Sequence, residues 1–499
     1  MRWGSWGLSL LAGGLHALSL AAPWDGQPLW WLQMLALGTL AWQLSGRATW
    51  QQAAWRGWLF ACAWLCGTFW WLFISMHTYG GLPAPLALLA VWALGGLLAL
   101  YYALACALFA RFRPSAPAHA ALLFGALWLL AELARGRWFT GFGWGGAGYA
   151  HVQGPLAAYA PWWGVYGISA LAAGLAMAVP HLLRSGWGMR AAVTLIVLLP
   201  WAAGQLGPSW STSTGRLSVA LLQGNIPQDE KFQPGSGVPL ALRWYGEQLG
   251  RSHAPLVVAP ETALPLLPQQ LPEGYWAALQ QRFSQGTQAA LIGIPWGDAR
   301  QGYTNAAVAW VPGHASLWRY DKHHLVPFGE FIPLGFKWFT ALMNIPLGDF
   351  NRGPLGQPSL GWQGQRLAPN ICYEDLFGEE LAARFADPAQ APTVFVNLSN
   401  IAWFGNTVAI DQHLHISRMR SLEFDRPFVR ATNTGATAII DHRGQVTAEL
   451  PRHTQGVLLG EVEGRQGITP YAWWAARFGL WPLWLGALGV CLWLRRPRS

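Results

Sequence analysis

The chain has 499 residues, 53% hydrophobic and only 11% charged, far from the roughly 25% charged share of a soluble domain. That balance excludes a wholly soluble protein, and the formal net charge of +9 comes from arginines scattered or set beside apolar runs, a sign of topology rather than of nucleic-acid binding. Up to about residue 208 the only acidic residues are Asp25 and Glu132 and there is no lysine, whereas the remaining carboxylates lie between 229 and 463.

A helix needs about 20 mostly apolar residues to cross a bilayer. Seven such runs come first, at 4–22, 28–45, 54–76, 84–110, 119–136, 163–182 and 190–206, and an eighth at 473–494 closes the chain. If each crosses, Arg2, Arg47 with Arg56, Arg111 with Arg113, Arg184 with Arg190, and Arg495, Arg496 and Arg498 all share one side. The positive-inside bias makes that side cytoplasmic. Both termini then lie inside and 209–470 outside, a stretch of about 260 residues that can form its own core. The first run resembles a cleaved signal, but spans follow at once and the even count needs it, so it is expected to be retained. Arg135 and Arg137 fall on the outer side, as ligands of lipid phosphate or as snorkelling side chains with Glu132 as neighbour. The outer loop 138–162 is dense in aromatics and glycines, which suits either an interfacial belt or the floor of a lipid-access cleft.

Beyond 208, short apolar runs at 217–223, 256–260, 289–295, 306–311, 367–371, 394–398, 428–431 and 436–440 alternate with amphipathic stretches at 239–252, 274–284, 379–385 and 410–424. This is an α/β pattern. No Gly-rich phosphate loop follows the first strand, so no nucleotide site is expected. Cys372 is the only cysteine outside the apolar spans, which hold Cys62, Cys66, Cys106 and Cys491. A free thiol at a strand end, beside Tyr373, Glu374 and Asp375, is a candidate nucleophile as well as a small core residue. Glu261 follows another strand, and Lys322 the run 318–321; the chain's other lysines are Lys231 and Lys337 alone. An acid, an amine and a thiol leaving separate strands is how an α/β scaffold presents a catalytic set. His323, His324, His413 and His415 are not read as metal ligands, since His413 and His415, two apart on a predicted helix, point to different faces. The run 334–350, with Trp403 and Phe404, is too apolar for a plain surface loop. It reads as mobile arms dipping into lipid or as segments buried against the membrane helices.

Ala259-Pro260-Glu261-Thr262, the run 320–333 (Tyr-Asp-Lys-His-His-Leu-Val-Pro-Phe-Gly-Glu-Phe-Ile-Pro) and Asn370-Ile371-Cys372-Tyr373-Glu374 resemble the Glu-Lys-Cys blocks of the nitrilase, or carbon-nitrogen hydrolase, superfamily. With membrane runs before and after, and with the stretches 397–405, 418–423 and 430–435, essentially the whole chain is similar to that superfamily's membrane-embedded apolipoprotein N-acyltransferase family. It departs at Ile401, where the family usually has aspartate, at Phe232, where it has tryptophan, and near Gly143, where it has proline. The resemblance implies a multi-pass α-helical membrane domain of eight spans plus an αββα nitrilase-like sandwich. Residues 1–208 would hold seven spans, 209–470 the periplasmic catalytic domain, and 471–499 the eighth span and a cytoplasmic tail, in the bacterial inner membrane.

The implied activity is ping-pong transfer of an sn-1 acyl chain from a phospholipid to the α-amine of a diacylglyceryl-cysteine apolipoprotein, with no cofactor, metal or nucleic acid. Glu261 would be the general base, Cys372 the thioester-forming nucleophile and Lys322 the cation that stabilises the intermediate. Glu330 would orient the lysine, Glu374 would shape the site, and Tyr373 would contribute backbone or packing beside it. The alternatives are a membrane-tethered amidase that lets water take the acyl group, and a transporter with an outer receptor domain, which predicts charges within the spans.

Overall fold

The computed structural model describes residues 2–46, 48–182, 186–206, 209–314, 316–340 and 349–495. Arg47, Arg184, Arg496, Arg498 and the apolar stretch 341–348 lie outside them. Two compact units form: Met1–Phe73 with Ala84–Ser209 and Phe478–Ser499, and Ile74–Pro83 with Trp210–Arg477.

The first unit is helical, with Arg2–Leu20, Trp30–Ser45, Trp50–Phe69, Ala84–Phe112, Pro117–Arg137, Ala160–Leu182, Trp187–Leu206 and Trp481–Arg495. Among the described residues, three helices are long and apolar enough to cross a membrane, or up to five if two broken pairs each count as one span, against the eight runs of the sequence reading. The shortfall has local causes. Trp30–Ser45 has only 16 residues, and Arg2–Leu20 is diluted by glycine, serine and tryptophan. The run 473–494 is not one helix: it breaks at Gly479, whose φ is +55°, a conformation glycine takes without penalty.

Small residues let these helices approach closely. A Cβ on Gly125 would lie 2.8 Å from the Ala170 carbonyl of the neighbouring helix. Arg135 is not a snorkelling side chain. It is buried and donates to the Tyr102 hydroxyl at 2.9 Å and to the carbonyls of Phe142 at 2.8 Å and Trp144 at 2.7 Å. Glu132 accepts from Trp128 Nε1 at 3.1 Å and from the Ala147 amide at 2.9 Å, and Gln33 donates to the Ala147 carbonyl at 2.8 Å. Nor is the middle of the 138–162 loop a surface belt. Its buried backbone is satisfied by helix side chains, as burial away from water demands, and exposed aromatics are confined to its ends at Trp138, Phe139, Trp162 and Trp163.

The second unit holds two six-stranded sheets. The strands are β1 (Ser211–Gln223), β2 (Leu256–Ala259), β3 (Ala289–Asp298), β4 (Gly302–Trp310), β5 (Trp318–Asp321), β6 (Leu360–Trp362), β7 (Gln365–Ile371), β8 (Val394–Ser399), β9 (Phe428–Thr432), β10 (Ala438–Ile440), β11 (Val446–Glu449) and β12 (Gly456–Gly467). Their orders are β12-β1-β2-β3-β4-β5 and β11-β10-β9-β8-β7-β6. The central strands β1 to β3 and β7 to β9 are parallel, and the outer pairs are antiparallel. Strand side chains alternate between faces, so each central strand serves two cores. Leu217, Val219 and Leu221 meet Val394, Val396 and Leu398 between the sheets. Ala220 and Leu222 pack outward with residues of the helices Gly237–Arg251 and Tyr275–Gln285. Outside the other sheet, Phe385 stacks on Phe424 and Phe395 on Phe428, with ring centroids 4.9 and 5.1 Å apart. The result is four layers, helix, sheet, sheet, helix. It explains the unbroken apolar runs of the central strands, which are buried on both faces.

The segment Ile74–Pro83, read from sequence partly as span and partly as a plain outer loop, belongs to this unit. Its Tyr79 ring sits edge-on to Trp403 at 5.9 Å. Of the apolar run 334–350, the described part leaves Leu334, Phe336 and Trp338 exposed.

Candidate active site

Three strand ends deliver the side chains singled out in the sequence. Glu261 lies just past β2, where the chain turns through Thr262 at φ +46° and passes so close to β3 that a Cβ on Gly293 would lie 2.7 Å from the Glu261 Cα. Lys322 follows β5. Its amide donates to the Asn305 carbonyl of β4 at 2.8 Å, and its own carbonyl accepts from Gly353 at 2.8 Å. Cys372 directly follows β7 at φ +52°, a region costly for a residue with a Cβ, and opens the short turn Cys372–Leu376. A strained residue at a strand-to-turn corner is held there by its surroundings.

Lys322 and the two acids come together. The ammonium, 1% exposed, lies 3.2 Å from Glu261 Oε1 and 2.9 Å from Glu330 Oε1. Asn305 Nδ2 bridges the same two oxygens at 2.8 and 2.7 Å. The second oxygen of Glu261 accepts from the Asn400 amide at 2.9 Å, and that of Glu330 from the Val326 amide at 2.8 Å. Lys231, equally buried, donates to the backbone carbonyl of Glu261 at 3.1 Å.

Glu374 makes a different set of contacts. It accepts from the amides of Ile371, His323 and His324 at 2.6, 2.6 and 3.1 Å and from the Tyr320 hydroxyl at 2.8 Å. It thereby fastens the segment around Lys322 to the end of β7. Tyr373 is buried against Phe377, ring to ring at 5.1 Å. His324 stacks on Phe377 at 3.5 Å and bonds Glu380 at 3.0 Å.

The Cys372 carbonyl has its own cluster. It accepts from Asn397 Nδ2 at 3.1 Å and faces His413 Nε2 at 3.2 Å. His413 Nε2 also meets Asp375 Oδ1 at 3.0 Å, and Arg430 lies 3.2 Å from Asp375 Oδ2 and 3.0 Å from His413 Nδ1. An arginine can only donate, so His413 Nδ1 accepts and the ring's hydrogen sits at Nε2. Ser417 hydrogen-bonds both Asp375 and Arg430.

Electrostatics follow from burial and these partners. Burial pushes the Cys372 thiol up to about 12, helped by the charge of Glu261 and opposed by that of Lys322. Burial alone would raise Glu261, but Lys322 and Lys231 beside it hold its carboxyl below the usual range. Burial would lower Lys322, yet Glu261 and Glu330 keep it above its ordinary value. Lys231, bonded to no carboxylate oxygen, is brought down by burial to about 8 against the pull of Glu261 and Cys372. The resting site is therefore a protonated thiol in the field of an ionised carboxylate.

Glu261, Lys322 and Glu330 are thus in contact, the charges of all three reach Cys372, and Glu374 and Tyr373 flank it. Asn305, Asn400, Lys231 and the group of Asp375, His413 and Arg430 were not singled out as site residues. Asn305 carried a signal, an amide opening the apolar run of β4, and so did Lys231, one of only three lysines. Arg430 opens the family-like stretch 430–435, but nothing in that stretch marks its side chain as part of a buried charge cluster.

The Apolipoprotein N-acyltransferase N-terminal domain family matches residues 12–178, and the Carbon-nitrogen hydrolase family residues 218–469. A protein of Verminephrobacter eiseniae named apolipoprotein N-acyltransferase is 61% identical over 497 residues, covering 95% of this chain and 92% of its own. One of the same name from Ralstonia nicotianae is 45% identical, covering 93% and 88%. Among solved structures, a carbon-nitrogen hydrolase from Helicobacter pylori G27 is 16% identical with a TM-score of 0.37, covering 54% of this chain and 94% of its own.

Proposed function

The chain belongs to the apolipoprotein N-acyltransferase family, a membrane-associated family of acyltransferases acting on lipoproteins, and from that premise we propose how its site works. Glu261 takes the proton of Cys372, and the thiolate attacks the sn-1 ester carbonyl of a phospholipid. Negative charge moves onto the former carbonyl oxygen, where Lys322 stabilises it. Collapse of the intermediate breaks the ester C–O bond. Lysophospholipid leaves with the proton from Glu261, and Cys372 keeps the acyl group as a thioester.

The acceptor is the α-amine of a diacylglyceryl-cysteine at the start of an apolipoprotein. With a pKa of about 8, part of it is neutral near pH 7. It attacks the thioester, gives its proton to Glu261 and releases the Cys372 thiolate, which takes that proton back as the amide departs. Both substrates carry acyl chains, each buried methylene worth about 0.8 kcal/mol, so the reaction belongs at a bilayer surface. In this reading eight runs cross the inner membrane, both termini are cytoplasmic, and residues 209–470 work in the periplasm.

The observation that carries the proposal is the Lys322 ammonium held between Glu261 and Glu330 within the field of a strained Cys372. The test supplies labelled phospholipid and a diacylglyceryl lipopeptide to the purified full-length protein in vesicles. Labelled amide, and a Cys372 peptide heavier by one acyl group when the lipopeptide is withheld, are expected. Free fatty acid as the sole product would point to hydrolysis instead.

A further inference from the structure

The site contains two carboxylates and two lysines, and the lysines are used differently. Lys322 is bonded to both carboxylates, at 3.2 and 2.9 Å. Lys231 is bonded to neither. Among the described residues its ammonium reaches one acceptor, the Glu261 carbonyl oxygen at 3.1 Å, and stands 5.8 Å from the Phe232 ring. A buried ammonium has three N–H groups, so two of these remain uncommitted. A buried ammonium held by one hydrogen bond and bonded to no carboxylate is expensive, and packing alone would be served as well by a methionine in the same space.

The reaction supplies a further use for that ammonium. Before proton transfer, the negative charges of Glu261 and Glu330 balance the positive charges of Lys322 and Lys231. When the Cys372 proton passes to Glu261, the total does not change, but one negative charge moves from Glu261 to sulfur and then to the carbonyl oxygen of the donor. Lys322 keeps Glu330 as a bonded partner throughout. Lys231, whose charge is felt by both Glu261 and Cys372, is the cation free to answer the displaced charge.

We infer that Lys231 is a second charge-stabilising residue of the acyl transfer, its ammonium offsetting the negative charge that forms at Cys372 and on the reacting oxygen. The inference rests on Cys372 being the nucleophile. Two further features agree with it. Burial brings the Lys231 pKa to about 8, so near neutrality the group is mostly charged. Asn400, whose amide holds Glu261, also bonds the side chain of Gln228 at 2.8 Å, which anchors the loop carrying Lys231 to the base.

The test measures the rate of alkylation of Cys372 by iodoacetamide at pH 7, where Lys231 is mostly charged, in the full-length protein, read on the Cys372 peptide by mass spectrometry. Lys231→Gln keeps a donor for the Glu261 carbonyl and removes the charge. It is expected to slow alkylation at pH 7 about tenfold, with the difference from wild type closing as pH rises through about 8, where Lys231 itself loses its proton, and to slow acyl transfer about tenfold to a hundredfold. Lys231→Arg is expected to keep the wild-type rate of alkylation. An unchanged alkylation rate in Lys231→Gln would overturn the inference even if transfer slowed, since packing alone could do that. Should that variant not accumulate, Lys231→Met decides: alkylation slowed about tenfold supports the charge role, and an unchanged rate overturns it. Full transfer activity in Cys372→Ser would instead sink the thioester reading itself.

Discussion

Two buried charge clusters meet at Cys372 and differ in what they hold. On the sulfur side, Glu261, Lys322, Glu330 and Asn305 surround a polar centre whose charges reach the thiol. On the carbonyl side, Asp375, His413, Ser417 and Arg430 bond one another and, through His413, face the Cys372 backbone. Both carry an acid beside a cation out of water, which is costly unless geometry and hydrogen bonds compensate. Only the first has an uncommitted ammonium at its edge. The second ties the helix Ala409–Phe424, strand β9 and the turn after β7 into one block around a residue in left-handed backbone geometry. The contrast separates reactivity from positioning: the thiol that the first cluster serves should be removable without loss of the fold, the pairs of the second should not.

The largest effect expected falls on the sulfur side. Cys372→Ser and Glu261→Gln should each lower acyl transfer about 10⁴-fold, as loss of a member of a cooperating set does, with the melting temperature nearly unchanged in Cys372→Ser and lowered in Glu261→Gln, where Lys322 keeps only Glu330 as a bonded partner. Transfer rates with labelled phospholipid, alongside thermal unfolding of the same preparations, check both halves. A variant that lost activity only by unfolding would break the comparison.

On the carbonyl side the order reverses. Arg430→Met leaves the Asp375 carboxylate buried without its cation, a change that costs about 3–5 kcal/mol in other buried pairs. Thermal unfolding should show the drop directly, and what folded protein remains should still form the acyl-thioester. Retained stability with lost chemistry would mean that Arg430 belongs to the reacting set.

Much of this arrangement was legible in the sequence. The strands ending at Glu261 and Cys372 announced themselves as short apolar runs, and the rarity of lysine drew attention to Lys322. β12 was not legible, because it is half exposed and its Glu461, Glu463 and Arg465 interrupt the apolar pattern, although it pairs with β1 from Ser211↔Gly467 to Gln223↔Gly456. The carbonyl-side cluster was illegible for another reason. Its members come from three separate segments, and nothing local in Asp375, His413 or Arg430 tells a buried network from a solvated surface. Arg135 misled in the same way, since charge at a helix end looks alike whether it meets headgroups or, as here, backbone carbonyls.

Glu374 sharpens the comparison because it lies between the clusters and links them. It accepts from four donors on two segments, three of them backbone amides. Glu374→Gln offers an NH₂ group where one oxygen had accepted, leaving buried amides unsatisfied at about 1–3 kcal/mol. Transfer is expected to fall about tenfold to a hundredfold, with a melting temperature between those of the Cys372→Ser and Arg430→Met proteins. A purely catalytic role would leave the melting temperature alone.

The smallest effect concerns acid pH, where two adjacent carboxyls should behave oppositely. Burial raises Glu374, whose closest donors are neutral, the backbone amides and the Tyr320 hydroxyl. Burial would raise Asp375 as well, but His413 and then Arg430 outweigh it and hold the group below the usual range. An acid depressed in the folded state adds stability that is fully present above its unfolded pKa, about 3.9, and is lost as pH falls through the folded value. For Glu374 the sign is opposite: stability is greatest while it is protonated and declines as pH rises from its unfolded value through the raised one. Below about pH 4, loss of stability should therefore trace in part to Asp375, alongside the likewise depressed Glu261, with a slope of at most about 1.4 kcal/mol per pH unit from Asp375. Asp375→Asn should be less stable at pH 7, because Arg430 loses its counter-charge, but should lose less on acidification. Thermal unfolding of wild type and variant at several pH values below 5 decides it. Parallel curves would mean that the carbonyl-side cluster is held by its hydrogen bonds and not by its charge.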